Sequence, residues 1–439
     1  MLTSSLLALV ALPLAAAPAA TITVDGAVGD ALLVRAGGRA LGGAIWVTTA
    51  DAKGRRLVRL APADAGRAAV VAADTRAVPT GAIFVDACPD GRVVFADAEG
   101  LVSLDGARVL EGRALFTVPD PDALLVADLC GKSGGGADEL RCPVVDGIAT
   151  LRRGGMPVTL RLAHDARAYS GRVHRGLRPD RGYAEALSLY GPRLVDADVD
   201  GDGATDLVAV REGRLTAWLR DGAGQLAAAP VVDRDLDAKL GAGADADLRI
   251  RILDVDGDKK AEAVIGVTRG AVPERSEAWI VTGDAGGPFN AARALWRKDG
   301  LVAAIGNRGR GLVIAEVDTS LVSLSAVLLT GRIPVKVSVD GGAPLAMQAK
   351  VDVRGGKMDG ALPVVSVDFD GDGAPDLLDL GEPGRAGLHL ATATGFALDA
   401  DVEWDVPAFV HVVPMPELPG VVLVGAPARG KTRVAVLTR

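Results

Sequence analysis

Asp198-Val199-Asp200-Gly201-Asp202-Gly203-Ala204-Thr205-Asp206-Leu207-Val208 is an acidic turn that runs straight into an apolar segment. The pattern returns at Asp254-Val255-Asp256-Gly257-Asp258-Lys259-Lys260-Ala261-Glu262-Ala263-Val264. It returns again at Asp368-Phe369-Asp370-Gly371-Asp372-Gly373-Ala374-Pro375-Asp376-Leu377-Leu378. Carboxylates occupy positions 1, 3, 5 and 9 of each copy. The copies start 56 residues apart (198 to 254) and then 114 apart (254 to 368), which is twice 57. One more unit is therefore expected between them, starting near residue 311. There, residues Gly311–Leu329 keep the strand-like residues without the acidic turn. A fixed period of this size marks a propeller or a solenoid.

The flanking sequence reads as short strands. After Asp206 come LVAV, RLTAWLRDG and QLAAAPVV, each rich in Val, Leu and Ala and each ending at Gly, Asp or Pro. About four such strands fit one repeat, which is one propeller blade. Weaker copies occur at 29–49, 86–105, 128–140 and 420–437, while 63–78 and 159–190 are the least regular stretches. The copies run nearly end to end and leave little room for a second domain.

These motifs resemble the FG-GAP/VCBS family of β-propellers, which is related to the propellers of integrin α-subunits. Asp198–Asp206 and Asp368–Asp376 meet the family's acidic DxDxDGxxD signature, and Asp254–Glu262 meets it with one defect. Gly425-Ala426-Pro427 after VVLV is similar to the GAP element. The resemblance is good over 195–439 and weaker over 21–195. It implies an all-β propeller, commonly of seven blades, with Ca²⁺ held in loops between the first two strands of a blade. The strand-pair signals in this chain also allow eight.

The chemistry of the loops agrees with that implication. Ca²⁺ is a hard cation that takes six to eight oxygen ligands. Alternate carboxylates in a tight turn can be aimed at one point, and Gly at positions 4 and 6 supplies the backbone angles such a turn needs. The expected ligands are Asp198, Asp200, Asp202 and Asp206; Asp254, Asp256, Asp258 and Glu262; and Asp368, Asp370, Asp372 and Asp376. The ion is expected to be structural. An EF-hand needs an acid at position 12 and flanking helices. Position 12 is Ala209 and Ile265 in the first two loops, and only the third has an acid, Asp379. The segment after each loop is strand-like, so the EF-hand is excluded. In the two N-terminal copies Cys88 and Cys130 stand in place of the third-position acid.

Composition narrows the function classes. The 439 residues include 49% hydrophobics, 3% aromatics and 56 acids against 48 Lys and Arg, for a net charge of −8. The chain is too apolar for disorder. It is also too acidic and aromatic-poor for a stacking or phosphate-tracking nucleic-acid surface. Twelve of the 56 acids are the expected metal ligands, and three Ca²⁺ would bring −8 to −2.

Residues 1–20, MLTSSLLALVALPLAAAPAA, have the short apolar run and small-residue cleavage region of a secretory signal peptide, although no Lys or Arg precedes the run. The mature domain is then a single propeller over 21–439, secreted or periplasmic. No later run is long and apolar enough for a membrane span. Export permits one disulfide among Cys88, Cys130 and Cys142. The expected pair is Cys130–Cys142, which are close in sequence.

Other signals are weaker. Gly425-Ala-Pro-Ala-Arg-Gly430-Lys431-Thr432 fits GxxxxGK[ST], but a P-loop must open a helix, and RVAVLTR reads as a strand. No nucleotide is expected. His164, His174, His389 and His411 form no ligand pair by spacing, and no nucleophile motif is present. Trp46, Trp218 and Trp279 are placed for packing between blades. The function expected is a non-catalytic, monomeric binding module for a protein or surface glycan. The alternative is an extracytoplasmic lyase or hydrolase with its site in the propeller channel. A third possibility, cell-surface adhesion, has no anchor to support it.

Overall fold

The computed structural model describes residues 20–438, except 112–124, 163–172, 237–245, 318–329 and shorter stretches, mostly at turns, the longest of them 63–69, 133–137, 270–274 and 307–311. Of the segment read as a signal peptide, residues 1–19 lie outside the described residues.

Among the described residues eight sheets of four or five strands follow one another along the chain. Blade 1 holds Ala27–Ala36, Arg39–Asp51, Gly54–Pro62 and Val70–Ala77. Blade 2 holds Phe84–Ala87, Val93–Asp97, Gly100–Ser103 and Arg108–Glu111, with Leu125–Val126 added in parallel on Phe84–Ala87. Blade 3 holds Cys130–Lys132, Asp138–Val144, Gly147–Arg152 and Val158–Arg161. Blade 4 holds Arg193–Ala197, Asp206–Arg211, Arg214–Trp218 and Val232–Asp235. Blade 5 holds Ala246–Leu253, Glu262–Arg269, Arg275–Asp284 and Gly287–Asp299. Blade 6 holds Leu301–Gly306, Val313–Val317, Arg332–Val339 and Leu345–Lys350. Blade 7 holds Val364–Val367, Asp376–Asp379, Arg385–His389 and Val402–Asp405. Blade 8 holds His411–Met415, Gly420–Val424 and Lys431–Thr438, and its fourth strand is Ala20–Asp25, paired with Lys431–Thr438 from Ala20↔Val436 to Asp25↔Lys431. The first described strand thus completes the last sheet.

This is an eight-bladed propeller. The count is the second of the two that the strand signals allow, not the seven common among similar families. The unit expected near residue 311 is blade 6, whose second strand is Val313–Val317. Residues 159–190, irregular in sequence, contain a hairpin of Val173–Arg178 and Gly182–Ser188. It lies against Ala27–Ala36 and Leu125–Val126, inner strands of blades 1 and 2.

Stacking explains why the middle strands are apolar throughout instead of alternating. A strand covered on both faces reads as a continuous hydrophobic run. Gly420–Val424, GVVLV, is buried at every residue. Its alternate faces serve two cores. Val422 and Val424 pack with Val47, Val58 and Leu60 of blade 1, whereas Val421 and Leu423 pack with Leu378, Leu388 and Trp404 of blade 7. Each fully buried side chain of this kind contributes about 1.5–3 kcal/mol. The same apolar seams join blades 1 and 2 through Trp46, Leu57 and Phe95, and blades 3 and 4 through Ile148, Leu207 and Trp218. The packing expected of Trp46, Trp218 and Trp279 is what the structure shows, Trp279 lying against the seam of blades 4 and 5.

The P-loop-like letters form a hairpin. Arg429 and Gly430 both take positive φ (53° and 72°), and Ala428 and Lys431 exchange backbone hydrogen bonds around them. Lys431 begins a strand, and the Thr432 hydroxyl donates to the carbonyl of Gly26 at 2.7 Å. The residues that would bind phosphate in a P-loop instead fasten the closing strand.

Candidate metal centres

The three acidic turns occupy one place in their blades, between first and second strands. The 198–206 loop joins Arg193–Ala197 to Asp206–Arg211, so strands flank it on both sides, as the exclusion of an EF-hand requires. Its fold is fixed by its own carboxylates. Asp198 accepts from the amides of Gly201 (2.7 Å) and Gly203 (2.9 Å), Asp200 from Asp202 (3.2 Å), and Asp202 from Ala204 (2.7 Å). Asp206, fully buried, accepts from Val199 at 3.0 Å and from the Arg220 amide at 2.7 Å, tying the loop to the end of the third strand. Gly201 and Gly203 have φ of 82° and 86°, which only glycine adopts without strain.

The second loop repeats this despite its defect. Lys259 stands where the first loop has Gly203, and it takes φ 75° itself. Its amide donates to Asp254 at 3.1 Å, as that of Gly203 does to Asp198. Val255 donates to Glu262 (2.8 Å), Gly257 to Asp254 (2.7 Å), Asp258 to Asp256 (3.1 Å) and Lys260 to Asp258 (2.7 Å). In the third loop Phe369 and Ala391 donate to buried Asp376, both at 2.8 Å, and Gly371 donates to Asp368 at 2.7 Å.

In each loop the carboxylates at positions 1, 3 and 9 converge. Asp198, Asp200 and Asp206, then Asp254, Asp256 and Glu262, then Asp368, Asp370 and Asp376, each offer oxygens within 4.8 Å of one another. The position-5 residues Asp202, Asp258 and Asp372 are exposed and stand outside these triads. A hard divalent cation fits such an all-oxygen donor set. The electrostatics point the same way. Burial, reinforced by Asp200 and Asp202, pushes the Asp206 carboxyl up to about 6 against two amide hydrogen bonds that lower it. Burial and the loop's three Asp residues push Glu262 up to about 7. Asp376 is raised by burial and by Asp370. A carboxyl buried beside other carboxylates resists ionisation.

Beside the first loop lies a buried ionic network that the sequence reading missed. Arg141 and Arg220, both almost fully buried, share Glu139: Arg141 Nε donates to it at 2.7 Å and Arg220 at 3.0 Å. Arg141 also reaches Asp196 at 2.5 Å, and Arg220 Nε donates to the carbonyl of Thr205 at 2.7 Å. Burial acts against ionised Glu139, but Arg141 and Arg220 outweigh it and hold the carboxyl below its ordinary value. Gly131 leaves the room: a Cβ there would overlap the Arg141 guanidinium. A signal was present in Glu139 and Arg141, two apart on one strand and hence on one face.

The N-terminal copies are built otherwise. Blade 2 turns tightly at 88–92, with Cys88 and Arg92 paired through their backbones. Cys88 forms a disulfide with Cys130 of blade 3, the Cα atoms 5.1 Å apart. This corrects the expected Cys130–Cys142 pair. Cys130 lies opposite Leu140, and Cys142 continues past it to lie opposite Ala149, buried outside the disulfide, where burial pushes its thiol up to about 12. Asp86 accepts from the amides of Leu129 and Cys130, both at 2.8 Å, across the same seam. His389 is buried, its Nδ1 2.9 Å from the carbonyl of Ala397; His164 lies outside the described residues, and no side chain is described for His174 or His411.

Residues 198–265, which span the first two loops, match the family model of the FG-GAP-like repeat. The chain is a β-propeller that carries an FG-GAP-like repeat. Similar solved structures include an Agrocybe aegerita lectin that recognises non-reducing terminal N-acetylglucosamine (14% identity, 87% of this chain and 89% of that one, TM-score 0.44). They also include virginiamycin B lyase from Staphylococcus aureus (12%, 82% and 95%, 0.34) and the WD40 domain of SCAP from fission yeast (9%, 95% and 94%, 0.39). What each binds or acts on is a property of that protein. No curated protein matches the chain. Among the described residues no helix is long and apolar enough to cross a membrane.

Proposed function

We propose that this FG-GAP propeller is an exported, calcium-stabilised and non-catalytic binding module whose ring presents a rigid surface to a protein or a surface glycan. One observation carries the calcium part: three equivalent turns each gather three carboxylates within 4.8 Å, at least one of them buried. When bound, Ca²⁺ supplies the counter-charge at each triad. Asp198, Asp200 and Asp206, with their counterparts in blades 5 and 7, would hold it, and Asp202, Asp258 and Asp372 stand at the rim of the turns. The backbone amides that donate to these carboxylates shape each turn, and the ion would complete its ordering. Export, and cleavage ahead of the Ala20–Asp25 strand, accord with the calcium and oxidising conditions that such loops and the Cys88–Cys130 bond suit.

The test is thermal unfolding in millimolar Ca²⁺ and in chelator, together with calorimetric titration of the chelated protein. Binding with a raised melting temperature is expected; an unchanged melting temperature sinks the calcium reading. The partner class is tested by pull-down and glycan array with the folded, calcium-loaded protein. Turnover of a glycan instead of retention would overturn the non-catalytic reading.

A further inference from the structure

We propose that the cation sites of blades 4 and 5 are thermodynamically coupled, so that filling one tightens the other, while the site of blade 7 binds independently. The inference rests on the calcium reading above and concerns how those sites behave together. Three contacts join the two loops. The amide of Ala261, at the end of the second loop, donates to the backbone carbonyl of Asp198, the first ligand of the first loop, at 2.7 Å. The aliphatic stem of Lys260 lies across Gly201, so closely that a Cβ at 201 would overlap its Cε. Val199 of the first loop and Ala261 of the second are buried in one apolar cluster.

The coupling arises from the effect of a cation on each turn. Drawing Asp254, Asp256 and Glu262 together fixes the chain between Lys259 and Glu262. That segment carries the Ala261 amide and the Lys260 stem, and so fixes the backbone that places Asp198. The first loop then loses less conformational entropy when it binds in turn. By linkage the effect must be reciprocal. The third loop is the internal control. Its neighbours are blades 6 and 8, and neither reads as an acidic turn in the sequence.

The experiment is Ca²⁺ calorimetry on chelated full-length variants that each lose a position-3 ligand. D370N keeps the coupled pair, D256N/D370N keeps the first loop alone, D200N/D370N the second alone, and D200N/D256N the third alone. The expected result is a product of binding constants in D370N that exceeds the product of the two single-loop constants by about fivefold or more. The third-loop constant in D200N/D256N is expected to equal that in the unaltered protein. Agreement of the two products within about twofold overturns the coupling and leaves the calcium reading intact. Absence of binding in D200N/D256N and in the unaltered protein overturns both. Far-ultraviolet circular dichroism of each variant separates lost binding from lost fold, and the Lys260→Ala variant, which alters no ligand, gives a second reading of the coupling: its constants should approach those of independent loops.

Discussion

The seam between blades 2 and 3 and the seam between blades 4 and 5 solve one problem with different chemistry. In both, an Asp at the start of a first turn faces the neighbouring blade. At the first seam Asp86 caps the amides of Leu129 and Cys130, and a covalent Cys88–Cys130 bond finishes the joint. At the second, the carbonyl of Asp198 takes the amide of Ala261, and the carboxylates are left to converge on one another. Under the proposed calcium reading, one seam is closed once, by oxidation, and the other answers to the cation concentration around it, which gives the propeller a permanent side and a conditional side.

The largest expected effect is cation withdrawal. With Ca²⁺ about 100-fold above Kd each site adds about 2.7 kcal/mol, so three sites together approach about 8. Denaturant unfolding in calcium and in chelator measures it. The loss should grow with pH. The raised carboxyls of Asp206 and Glu262 keep protons in the folded state that the unfolded chain releases, so cation-free stability is present near pH 4 and declines as pH rises toward about 6 to 7. Unfolding in chelator across that range should show the decline, and millimolar Ca²⁺ should abolish it.

Between the two seams, Glu139→Ala would leave Arg141 and Arg220 buried without their shared partner, at a cost of about 3–5 kcal/mol. Equilibrium unfolding checks this, and Glu139→Gln should recover part of the loss. Replacing Cys88 and Cys130 together by Ser should cost about 2–4 kcal/mol whether or not calcium is present. If that loss vanished in calcium, the two seams would not be separate devices. The smallest effect is Lys259→Gly, which removes the positive-φ strain of a side chain in the second loop and should stabilise it by about 1 kcal/mol. It should also tighten Ca²⁺ at that loop, read by calorimetry.

Much of this arrangement was legible because it is local. Asp198–Asp206 and its copies name their own turns, and the apolar runs after them name buried strands, since spacing along the chain fixes both. The Lys259 defect leaves the turn's backbone unchanged, because a lysine can adopt the left-handed backbone at a modest cost. The disulfide was misread because nearness in sequence is a poor guide once strands pair. Cys130 and Cys142 belong to one hairpin but do not sit opposite each other, whereas Cys88 comes from another blade. The Arg220 arm of the Glu139–Arg141 network was invisible for the same reason: Arg220 is 81 residues from Glu139.

The strand Ala20–Asp25 finally sets the order of events in making the molecule. Its partner strand leaves the ribosome only about 400 residues later, as the 406-residue separation of Gly26 and Thr432 shows. Until then Ala20–Asp25 has no strand to pair with, and contacts that distant are slow to form. An unpaired edge is a template for pairing with another chain. The strand made first is thus the one whose backbone waits longest for its partner, and its edge is an aggregation hazard for all of that time.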